Sequence, residues 1–321
     1  MELEGVKVLV TGGAGFIGSR LADKLLERAS LVVVYDNFDD FYAGKENNVA
    51  HNLRNPKYRL IKADILDYET LLRVMKEVDV VFHEAAQPGV RFSLENPLKT
   101  NRVNVEGTLN VLMAAKQTGV KKVVYASSSS VYGTPKYVPM DEGHPKNPSS
   151  PYAVSKLVAE EYCRVFSEVY GLEIVSLRYF SVYGPRQRPD QAVRAFAERI
   201  ARGQPPIVYG DGSQTRDFTY VDDVVEATIK AAEVDDIGGE VFNIGFGRET
   251  SIKDLVHKLI KLMEVEGKVE PEFKPSYKGD FPRTLADNSK ARRVLGWEPT
   301  TSLDEGLRLF LEWFKSHRGA P

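Results

Sequence analysis

The chain has 321 residues, of which 42% are hydrophobic and 27% are charged, a composition typical of a globular protein of about two domains and not of a disordered or fibrous one. Its formal net charge is only -2, so we expect no nucleic-acid partner, and any anionic ligand must be bound by individual arginines. The single cysteine, Cys163, excludes an intramolecular disulfide and indicates a reducing compartment, with the cytoplasm as the default.

The sequence shows no sign of a membrane segment or a metal site. Its first residues, MELEGVKVLV, lack the basic start and the long apolar stretch of a signal peptide. No apolar run reaches the ~18 residues that a membrane-spanning helix needs. The five histidines are scattered without the spacing of metal ligands, so we expect neither a membrane nor a metal partner.

Short runs of strand-forming residues recur at regular intervals along the first 180 residues. They are almost continuously apolar, as in parallel strands buried on both faces, and they alternate with helical patterns such as GTLNVLMAAKQTG, which Gly119 ends. This alternation predicts an α/β fold with a Rossmann-type doubly wound parallel sheet. The runs are VKVLVTG at 6–12, LVVVYDN at 31–37, YRLIKADI at 58–65, VDVVFHEAA at 78–86, KKVVYASS at 121–128 and LEIVSLRYF at 172–180.

The pattern changes after residue 180, where connections rich in Pro, Gly and Arg begin. Residues 1–180 are predicted to form the sheet domain, and residues 223–247, which include the strand-like run EVFNIGF, are predicted to return to it. Residues 181–222 and 248–321 then form a smaller, interleaved C-terminal domain that binds the substrate.

A glycine-rich turn, TGGAGFIG at 11–18, follows the first predicted strand. Gly12, Gly15 and Gly18 let the backbone approach a pyrophosphate, whose charge meets the free N–H groups of the next helix. The second strand ends in Asp36, where a carboxylate accepts ribose hydroxyls and repels the 2′-phosphate of NADP. Together these features predict an NAD site, with a purely structural glycine turn as the alternative. Further candidates, at the ends of the third and fourth strands, are Asp64, Ile65, Ala85 and Ala86.

The candidate for chemistry is a pair of residues in SSPYAVSKLVAEEYCRVF at 149–166. Ser150 can cap a helix with Pro151 at its first position, which places Tyr152 and Lys156 on one face. A lysine cation one turn away favours the phenolate, so that Tyr152 can remove a hydroxyl proton as hydride leaves the same carbon. An isolated pair of this spacing is more often incidental, but behind a dinucleotide motif the catalytic interpretation is favoured.

These motifs together resemble those of an extended short-chain dehydrogenase/reductase. The resemblance rests on TGGAGFIG, Asp36, HEAA at 83–86, YASSSSVYG at 125–133 and YAVSK at 152–156, and it covers nearly the whole chain. It is similar in particular to the nucleotide-sugar 4-epimerases of the UDP-glucose and UDP-glucuronate type. That resemblance implies tightly bound NAD, a UDP-sugar substrate and a cycle without net redox change. Tyr152 takes the O4 proton, the C4 hydride passes to NAD, and the 4-keto sugar rotates and regains hydride on its opposite face.

The resemblance also implies roles for individual residues. Ser128 looks like the serine that shares the O4 hydrogen bond with Tyr152, Ser127 would line the cofactor, and Asn104 looks like the residue that fixes the helix and water near Lys156. The cofactor-binding candidates are Gly12, Gly15, Phe16, Ile17, Gly18, Asp36, Asn37, Asp64, Ile65, Ala85, Ala86, Asn104, Ser127, Tyr152, Lys156 and Tyr179.

The residues before VYG separate the reactions that this family performs. By resemblance, 4,6-dehydratases carry Asp-Glu there and UDP-glucuronate decarboxylases carry a Glu. This chain has Ser129 and Ser130, so elimination and decarboxylation lack their acid/base group and epimerisation is favoured. A non-catalytic NAD-binding scaffold is a further alternative, which the intact Ser128, Tyr152 and Lys156 disfavour.

The choice of sugar depends on RYFSVYGPRQRPD at 178–190. Many UDP-galactose 4-epimerases have Asn where this chain has Ser181, whereas UDP-glucuronate 4-epimerases often have Thr, and Arg188 stands where a carboxylate-binding arginine would be expected. DNFDDFY at 36–42 and AAQPGVRFSLENP, with Arg91, also look like the uronate enzymes, although Gln191 replaces their usual Met. UDP-glucuronate and UDP-galacturonate are therefore favoured, with UDP-glucose and UDP-galactose as the alternative; a surface ion pair is the alternative role of Arg188.

Two further implications concern the nucleotide and the assembly. Arg216 resembles the arginine on the UDP diphosphate and Asp280 the residue near the uridine ribose. The family resemblance also suggests a homodimer built on the helices carrying Thr108 to Thr118 and Tyr152 to Tyr170. The substrate-binding candidates are thus Arg91, Ser128, Ser181, Arg188, Arg216 and Asp280.

Overall fold

A computed structural model describes residues 1–276 and 281–317 of the chain. The strands of these residues are β1 Lys7–Thr11, β2 Leu31–Asp36, β3 Tyr58–Lys62, β4 Val80–His83, β5 Lys122–Ser128, β6 Glu173–Tyr179, β7 Ser181–Tyr183, β8 Ile207–Tyr209, β9 Thr215–Tyr220, β10 Val241–Ile244, β11 Glu249–Ser251 and β12 Glu272–Lys274.

Seven of these strands form one parallel sheet in the order β10-β6-β5-β4-β1-β2-β3. The chain winds outward in both directions from the boundary between β1 and β4, and ligands of open α/β sheets bind where the strand order reverses in this way. The predicted Rossmann-type doubly wound parallel sheet is confirmed.

Helices cover both faces of this sheet. They are α1 Phe16–Leu25, α2 Lys45–Ala50, α3 Tyr68–Met75, α4 Val90–Glu95, α5 Pro97–Asn101, α6 Gly107–Thr118, α7 Pro151–Tyr170, α8 Ala192–Ala201, α9 Val221–Glu233, α10 Ile252–Leu262, α11 Ser289–Leu295 and α12 Leu303–Ser316. A π-helical turn, Arg102–Glu106, precedes α6, and a short 3₁₀ helix, Ser129–Tyr132, follows β5. Within the described ranges, no helix is long and apolar enough to cross a bilayer.

The apolar strand residues divide into two cores, one on each face of the sheet. Val8 and Val10 pack with α1 and α9 on one face, whereas Leu9 and Val33 pack with α3, α6 and α7 on the other. Successive strand residues point to opposite faces, so burial on both faces explains why the strand sequences are apolar without alternation.

Local sequence signals set the ends of the helices that matter for the site. Gly119 ends α6 in the left-handed conformation, with φ 73°, which a glycine adopts without steric cost. Ser150 begins α7 by accepting a hydrogen bond from the Ala153 N–H at 3.1 Å, as an N-cap serine does.

The second half of the chain contributes to both the main sheet and a smaller region. β10 pairs with β6, so this segment lies at the edge of the seven-stranded sheet. A three-stranded sheet of β11, β9 and β7 and a pair of β12 and β8 lie outside the main sheet. They stand at the side to which the carboxyl ends of the main strands point, where Ser181 of β7 and Tyr209 of β8 line a common cleft with those ends.

Candidate active site

A cleft of about 830 Å³ lies between the carboxyl ends of the main strands and the smaller region. Its wall includes the residues that follow β1, β2, β4, β5 and β6, which the parallel register brings to one edge of the sheet. The predicted site residues on this wall are Gly12, Gly15, Phe16, Ile17, Gly18, Asp36, Asn37, Asp64, Ile65, Ala85, Ala86, Arg91, Ser127, Ser128, Tyr152, Lys156, Tyr179, Ser181, Arg188 and Arg216.

Two predicted residues are not part of this group. Asn104 is 1% exposed and lies behind the wall, where its side chain bonds the backbone of Gln87 and the hydroxyl of Ser155. It therefore braces α7 against the loop after β4, and a direct contact with the cofactor stays a prediction. Asp280 lies outside the described residues.

The glycine turn shapes one end of the cleft. Gly12 has φ 66°, and a side chain there would bring its Cβ within 2.7 Å of Ala85 Cα, so a residue with a Cβ would push the loops after β1 and β4 apart. Gly15 provides no side-chain cap for α1. The Phe16 N–H bonds Tyr42, and the remaining N–H groups at this end of the helix can face an anion. The turn thus fits a pyrophosphate.

Asp36 stands beside the turn at the end of β2. Its Oδ2 accepts from the Ala14 N–H at 3.0 Å and its Oδ1 from the Phe38 N–H at 2.8 Å, which fixes the carboxyl group on the cleft wall. Burial raises the pKa of Asp36, and the Lys45 cation opposes that shift. A fixed carboxylate suits ribose hydroxyls and opposes a 2′-phosphate.

Three further residues predicted to bind the cofactor, Asn37, Asp64 and Ile65, lie next to Asp36 on the cleft wall. Asn37 Nδ2 donates to Asp64 Oδ2 at 2.9 Å, and Asp64 Oδ1 accepts from the Leu66 N–H at 2.9 Å. Ile65 is buried and packs closely against Gly107 at the start of α6. A polar pair beside an apolar side chain is suited to holding a base by hydrogen bonds and contact.

The catalytic candidates lie at the start of α7. Lys156 is 4% exposed, and its Nζ donates to the Ala126 carbonyl at 2.7 Å. Burial lowers the pKa of Lys156 to about 8, so the amine is still mainly protonated at neutral pH. Burial also raises the pKa of Tyr152, whereas the Arg188 cation and a hydrogen bond with Ser128 act to lower that pKa. The Glu84 charge adds to the upward shift, so Arg188 and Ser128 offset only part of it.

The serine run after β5 is organised by hydrogen bonds. Ser128 Oγ accepts from the Ser130 N–H at 3.2 Å and from the Ser130 hydroxyl at 2.9 Å, so its own proton is available to donate to Tyr152. Ser127 donates to Glu160 Oε2 at 2.7 Å, and Glu160 forms a buried ion pair with Arg178. The hydroxyl of Ser127 is thus engaged below the cleft, while Ser128 is directed to the tyrosine.

The far end of the cleft carries the arginines. The Arg91 guanidinium lies 4.6 Å from the centre of the Tyr209 ring. Arg216 Nη1 donates to the carbonyls of Thr215 at 2.7 Å and Phe281 at 2.9 Å, which fixes its orientation. These two arginines place positive charge on the cleft wall, and the assignment of Arg216 to the diphosphate stays a prediction.

Arg188 also lines the cleft. Its Nε and Nη2 pair with the Asp190 carboxylate at 2.9 and 3.0 Å, and its guanidinium lies 5.7 Å from the Phe41 ring centre. Only 16% of the Arg188 side chain is exposed. The Arg188–Asp190 pair is therefore not a simple ion pair on the outer surface. Arg188 and Tyr152 line the same cleft, and the Arg188 cation acts to lower the pKa of Tyr152.

The sequence did not mark several residues of the cleft wall as site residues. Glu84 belongs to the HEAA strand end, and Phe41 and Tyr42 belong to DNFDDFY. Both stretches were recognised as segments of the family pattern, but no spacing rule shows which of their side chains enter a cleft. No group of three or more potential metal ligands occurs in residues 1–276 and 281–317.

Comparison with known proteins places these features in a wider context. The family model described as GDP-mannose 4,6 dehydratase matches residues 9–310. The chain is 42% identical to a putative UDP-glucose 4-epimerase of Methanocaldococcus jannaschii, over 97% of this chain and 99% of the relative. It is 38% identical to the UDP-glucuronate 4-epimerase of Thermodesulfobacterium geofontis, over 96% of each.

A solved structure agrees with the fold over almost the full length. UDP-glucuronic acid 4-epimerase from Bacillus cereus, in complex with UDP-glucuronic acid and NAD, superposes with a TM-score of 0.91 at 38% identity, covering 97% of this chain and 99% of the other. These similarities extend over the sheet, the cleft and the smaller region together.

Proposed function

The chain belongs to the extended short-chain dehydrogenase/reductase family, in the group that the GDP-mannose 4,6 dehydratase model describes, and we propose that it interconverts UDP-glucuronate and UDP-galacturonate. It is an NAD-dependent UDP-sugar 4-epimerase. The finer proposal, a uronate as the sugar, is carried by one observation: Arg188, whose side chain is 16% exposed, lines the same cleft as Tyr152.

Different residues of the cleft have different roles in the proposed reaction. NAD, when bound, supplies a reversible acceptor for the C4 hydride. Tyr152 holds and returns the O4 proton, and the Arg188 cation and the Ser128 hydroxyl act to stabilise the phenolate that this requires. By the family resemblance, Lys156 adds a further positive charge on the same face of α7. We assign the glycine turn and Asp36 to the cofactor and Arg216 to the diphosphate, because their backbone and side-chain bonds hold them on the wall.

A hexuronate differs from a neutral hexose by a carboxylate at C6, close to the C4 that reacts. Arg188 offers a planar guanidinium near Tyr152, and its pair with Asp190 uses Nε and Nη2, so Nη1 takes no part in that pair. A charged, forked donor distinguishes a carboxylate from a hydroxymethyl group better than a neutral side chain does. Asp190 would then orient the arginine for the sugar.

Elimination of water or carbon dioxide is less well supported. The positions before VYG that would carry acidic residues are Ser129 and Ser130, and the hydroxyl and N–H of Ser130 both bond Ser128. The Ser130 hydroxyl orients Ser128 toward Tyr152. It is not a carboxylic acid, so it does not provide the second proton transfer that elimination needs.

The test is to incubate purified protein with UDP-glucuronate and UDP-glucose separately and to identify the products. We expect UDP-galacturonate from the first, with a kcat/KM at least tenfold above that for UDP-galactose from the second, as roughly one charge-assisted hydrogen bond provides. A ratio in favour of UDP-glucose would contradict the uronate proposal and leave the 4-epimerase intact. UDP-xylose from UDP-glucuronate would indicate a decarboxylase instead.

We also propose a homodimer, with a second copy of the chain on one face of α7. Large apolar side chains are exposed there at helical spacing: Val154 45%, Val158 37%, Tyr162 37%, Val165 36% and Val169 65%. A single contiguous stripe of this kind is self-complementary, as the isologous interface of a twofold dimer requires.

Light scattering after size-exclusion chromatography tests the dimer. Wild-type protein should have twice the chain mass, and Val158→Glu combined with Val165→Glu should reduce it to one chain. Leu309→Glu is the matched control, because Leu309 is a comparably exposed apolar residue on α12, and it should stay dimeric. A monomeric wild type would rule the dimer out.

A further inference from the structure

A carboxyl group that has no part in the scheme above lies on the wall of the cleft. Glu84 follows β4 directly, and its Oε1 accepts from the Tyr179 hydroxyl at 2.8 Å. The same Tyr179 oxygen is 2.8 Å from the Thr228 hydroxyl of α9. The Glu84 carboxyl is thus fixed by Tyr179 of β6, whose hydroxyl also contacts Thr228 of α9.

The charges around Glu84 belong to the catalytic residues. On α7, the Lys156 cation lowers the pKa of Glu84, and the Glu84 charge raises the pKa of Tyr152. On β6 the facing group is Tyr179, and the uncharged Thr228 of α9 contacts Tyr179. Burial raises the pKa of Glu84 to about 7, and Lys156 and the Tyr179 hydrogen bond lower it from the value that burial alone would give. A positive ligand beside it would lower the pKa further and keep the carboxylate ionised.

The chemistry of the reaction brings such a positive group to this place. Oxidation of C4 sends the O4 proton to Tyr152 and the C4 hydride, with both electrons, to the nicotinamide; the return step reverses both transfers. Because one carbon loses both, the nicotinamide has to lie beside Tyr152. The oxidised ring is a cation and the reduced ring is neutral, so a nearby carboxylate stabilises the oxidised form selectively.

We propose that Glu84 sets the redox balance of the bound cofactor toward NAD, so that the 4-keto sugar is reduced again before it can leave the cleft. The inference rests on the NAD-dependent hydride transfer described above and not on the identity of the sugar. In this proposal Glu84 acts on the nicotinamide through its negative charge and forms no bond to the sugar.

The test measures the midpoint potential of the cofactor bound to the holoenzyme, in the absence of sugar. The protein is equilibrated with a reversible redox dye, and the reduced nicotinamide is read by its near-ultraviolet absorbance. In Glu84→Gln, we expect the ratio of reduced to oxidised cofactor at a given dye potential to rise about tenfold, or about 30 mV for two electrons. Glutamine keeps an acceptor for Tyr179 and removes only the charge.

Two controls separate charge from packing. Thr228→Val removes the hydroxyl that meets Tyr179 but keeps the carboxylate, and it should leave the potential at the wild-type value. Glu84→Leu is a second neutral variant and should shift the potential in the same direction as Glu84→Gln. If Glu84→Gln does not fold, Glu84→Leu decides.

Three results would overturn the proposal: an unchanged potential in a folded neutral variant that retains the cofactor, an equal shift in Thr228→Val, or loss of cofactor in both neutral variants while Glu84→Asp retains it. The last result would assign Glu84 to binding. Because no sugar is present, none of these results depends on whether the substrate is a uronate. Failure of wild-type protein to epimerise any UDP-sugar would instead concern the proposed function.

Discussion

Ser130 donates both its backbone N–H and its hydroxyl to Ser128 Oγ, at 3.2 and 2.9 Å. These two bonds occupy the lone pairs of the Ser128 oxygen, so the Ser128 proton is directed to another acceptor, and Tyr152 is its partner. Ser130 therefore orients the serine that bonds the tyrosine.

Replacement of Ser130 by alanine removes the hydroxyl of this pair. We expect Ser130→Ala to lower kcat about two- to tenfold, since one hydrogen bond contributes roughly 0.5–1.5 kcal/mol, with KM for the UDP-sugar nearly unchanged. Steady-state kinetics with the preferred substrate provide the measurement. Ser129→Ala is the matched control, because both bonds to Ser128 come from Ser130, and it should remain within about twofold of wild type; equal losses in the two variants would contradict the orienting role.

The phenol of Tyr152 is the proposed proton acceptor. Tyr152→Phe keeps the ring and removes the hydroxyl that is bonded to Ser128, so we expect turnover to fall by a factor of about 10² to 10⁴ while the protein still copurifies with NAD. The measurements are product formation over hours and the cofactor content of denatured protein. Undiminished epimerisation would rule out this mechanism, and loss of NAD would show a role in binding.

The parts of the fold that sequence predicts well are those with strong local signals. The seven strands of the main sheet are visible because burial on both faces requires nearly continuous apolar runs, as in β1 and β2. The glycine turn is visible because Gly12 has positive φ and touches Ala85, which restricts the choice of residue. Signals of this kind depend on backbone geometry and neighbours along the chain.

Side-chain placement across the fold is not accessible in this way. Asn104 was predicted to bind the cofactor and to fix the helix near Lys156. Its side chain bonds Gln87 and, on that helix, Ser155, and sequence spacing indicates neither partner. Glu84 and Tyr179 are far apart in sequence, and only the register of β4 and β6 around β5 brings them together. Such contacts follow from the assembled sheet and leave no periodic trace in the sequence.

His83 makes the stability of the fold sensitive to acid. It is fully buried, with Nδ1 2.7 Å from the Thr11 hydroxyl and Nε2 2.9 Å from the Thr108 hydroxyl. Thr108 donates to the Asn104 carbonyl, so it accepts from His83 Nε2, and Nδ1 accepts from Thr11. Burial, followed by the Lys156 charge, lowers the pKa of His83 from 6.5 to about 3.

The pH dependence follows from that depressed pKa. Below about pH 6.5 the unfolded chain takes up a proton at this histidine and the folded chain does not, so the free energy of unfolding falls by up to about 1.4 kcal/mol per pH unit as pH decreases toward 3. Urea unfolding between about pH 4 and pH 7 should show this slope reduced in His83→Gln. His257→Gln, which changes an exposed histidine on α10, should keep the wild-type slope; identical slopes in all three proteins would refute the assignment.

Arg188 is expected to separate the two sugars. Arg188→Ala removes a guanidinium that lies near Tyr152 and pairs with Asp190, so every substrate should lose some activity because the Tyr152 phenolate is less well stabilised. A hexuronate loses in addition the partner of its carboxylate, so we expect kcat/KM for UDP-glucuronate to fall about 10- to 100-fold further than that for UDP-glucose. Arg292→Ala is the control, because Arg292 pairs with Glu298 and is not among the residues that line the cleft, and it should leave the ratio of the two activities unchanged. Equal losses on both sugars in Arg188→Ala would show that the arginine acts on the tyrosine alone.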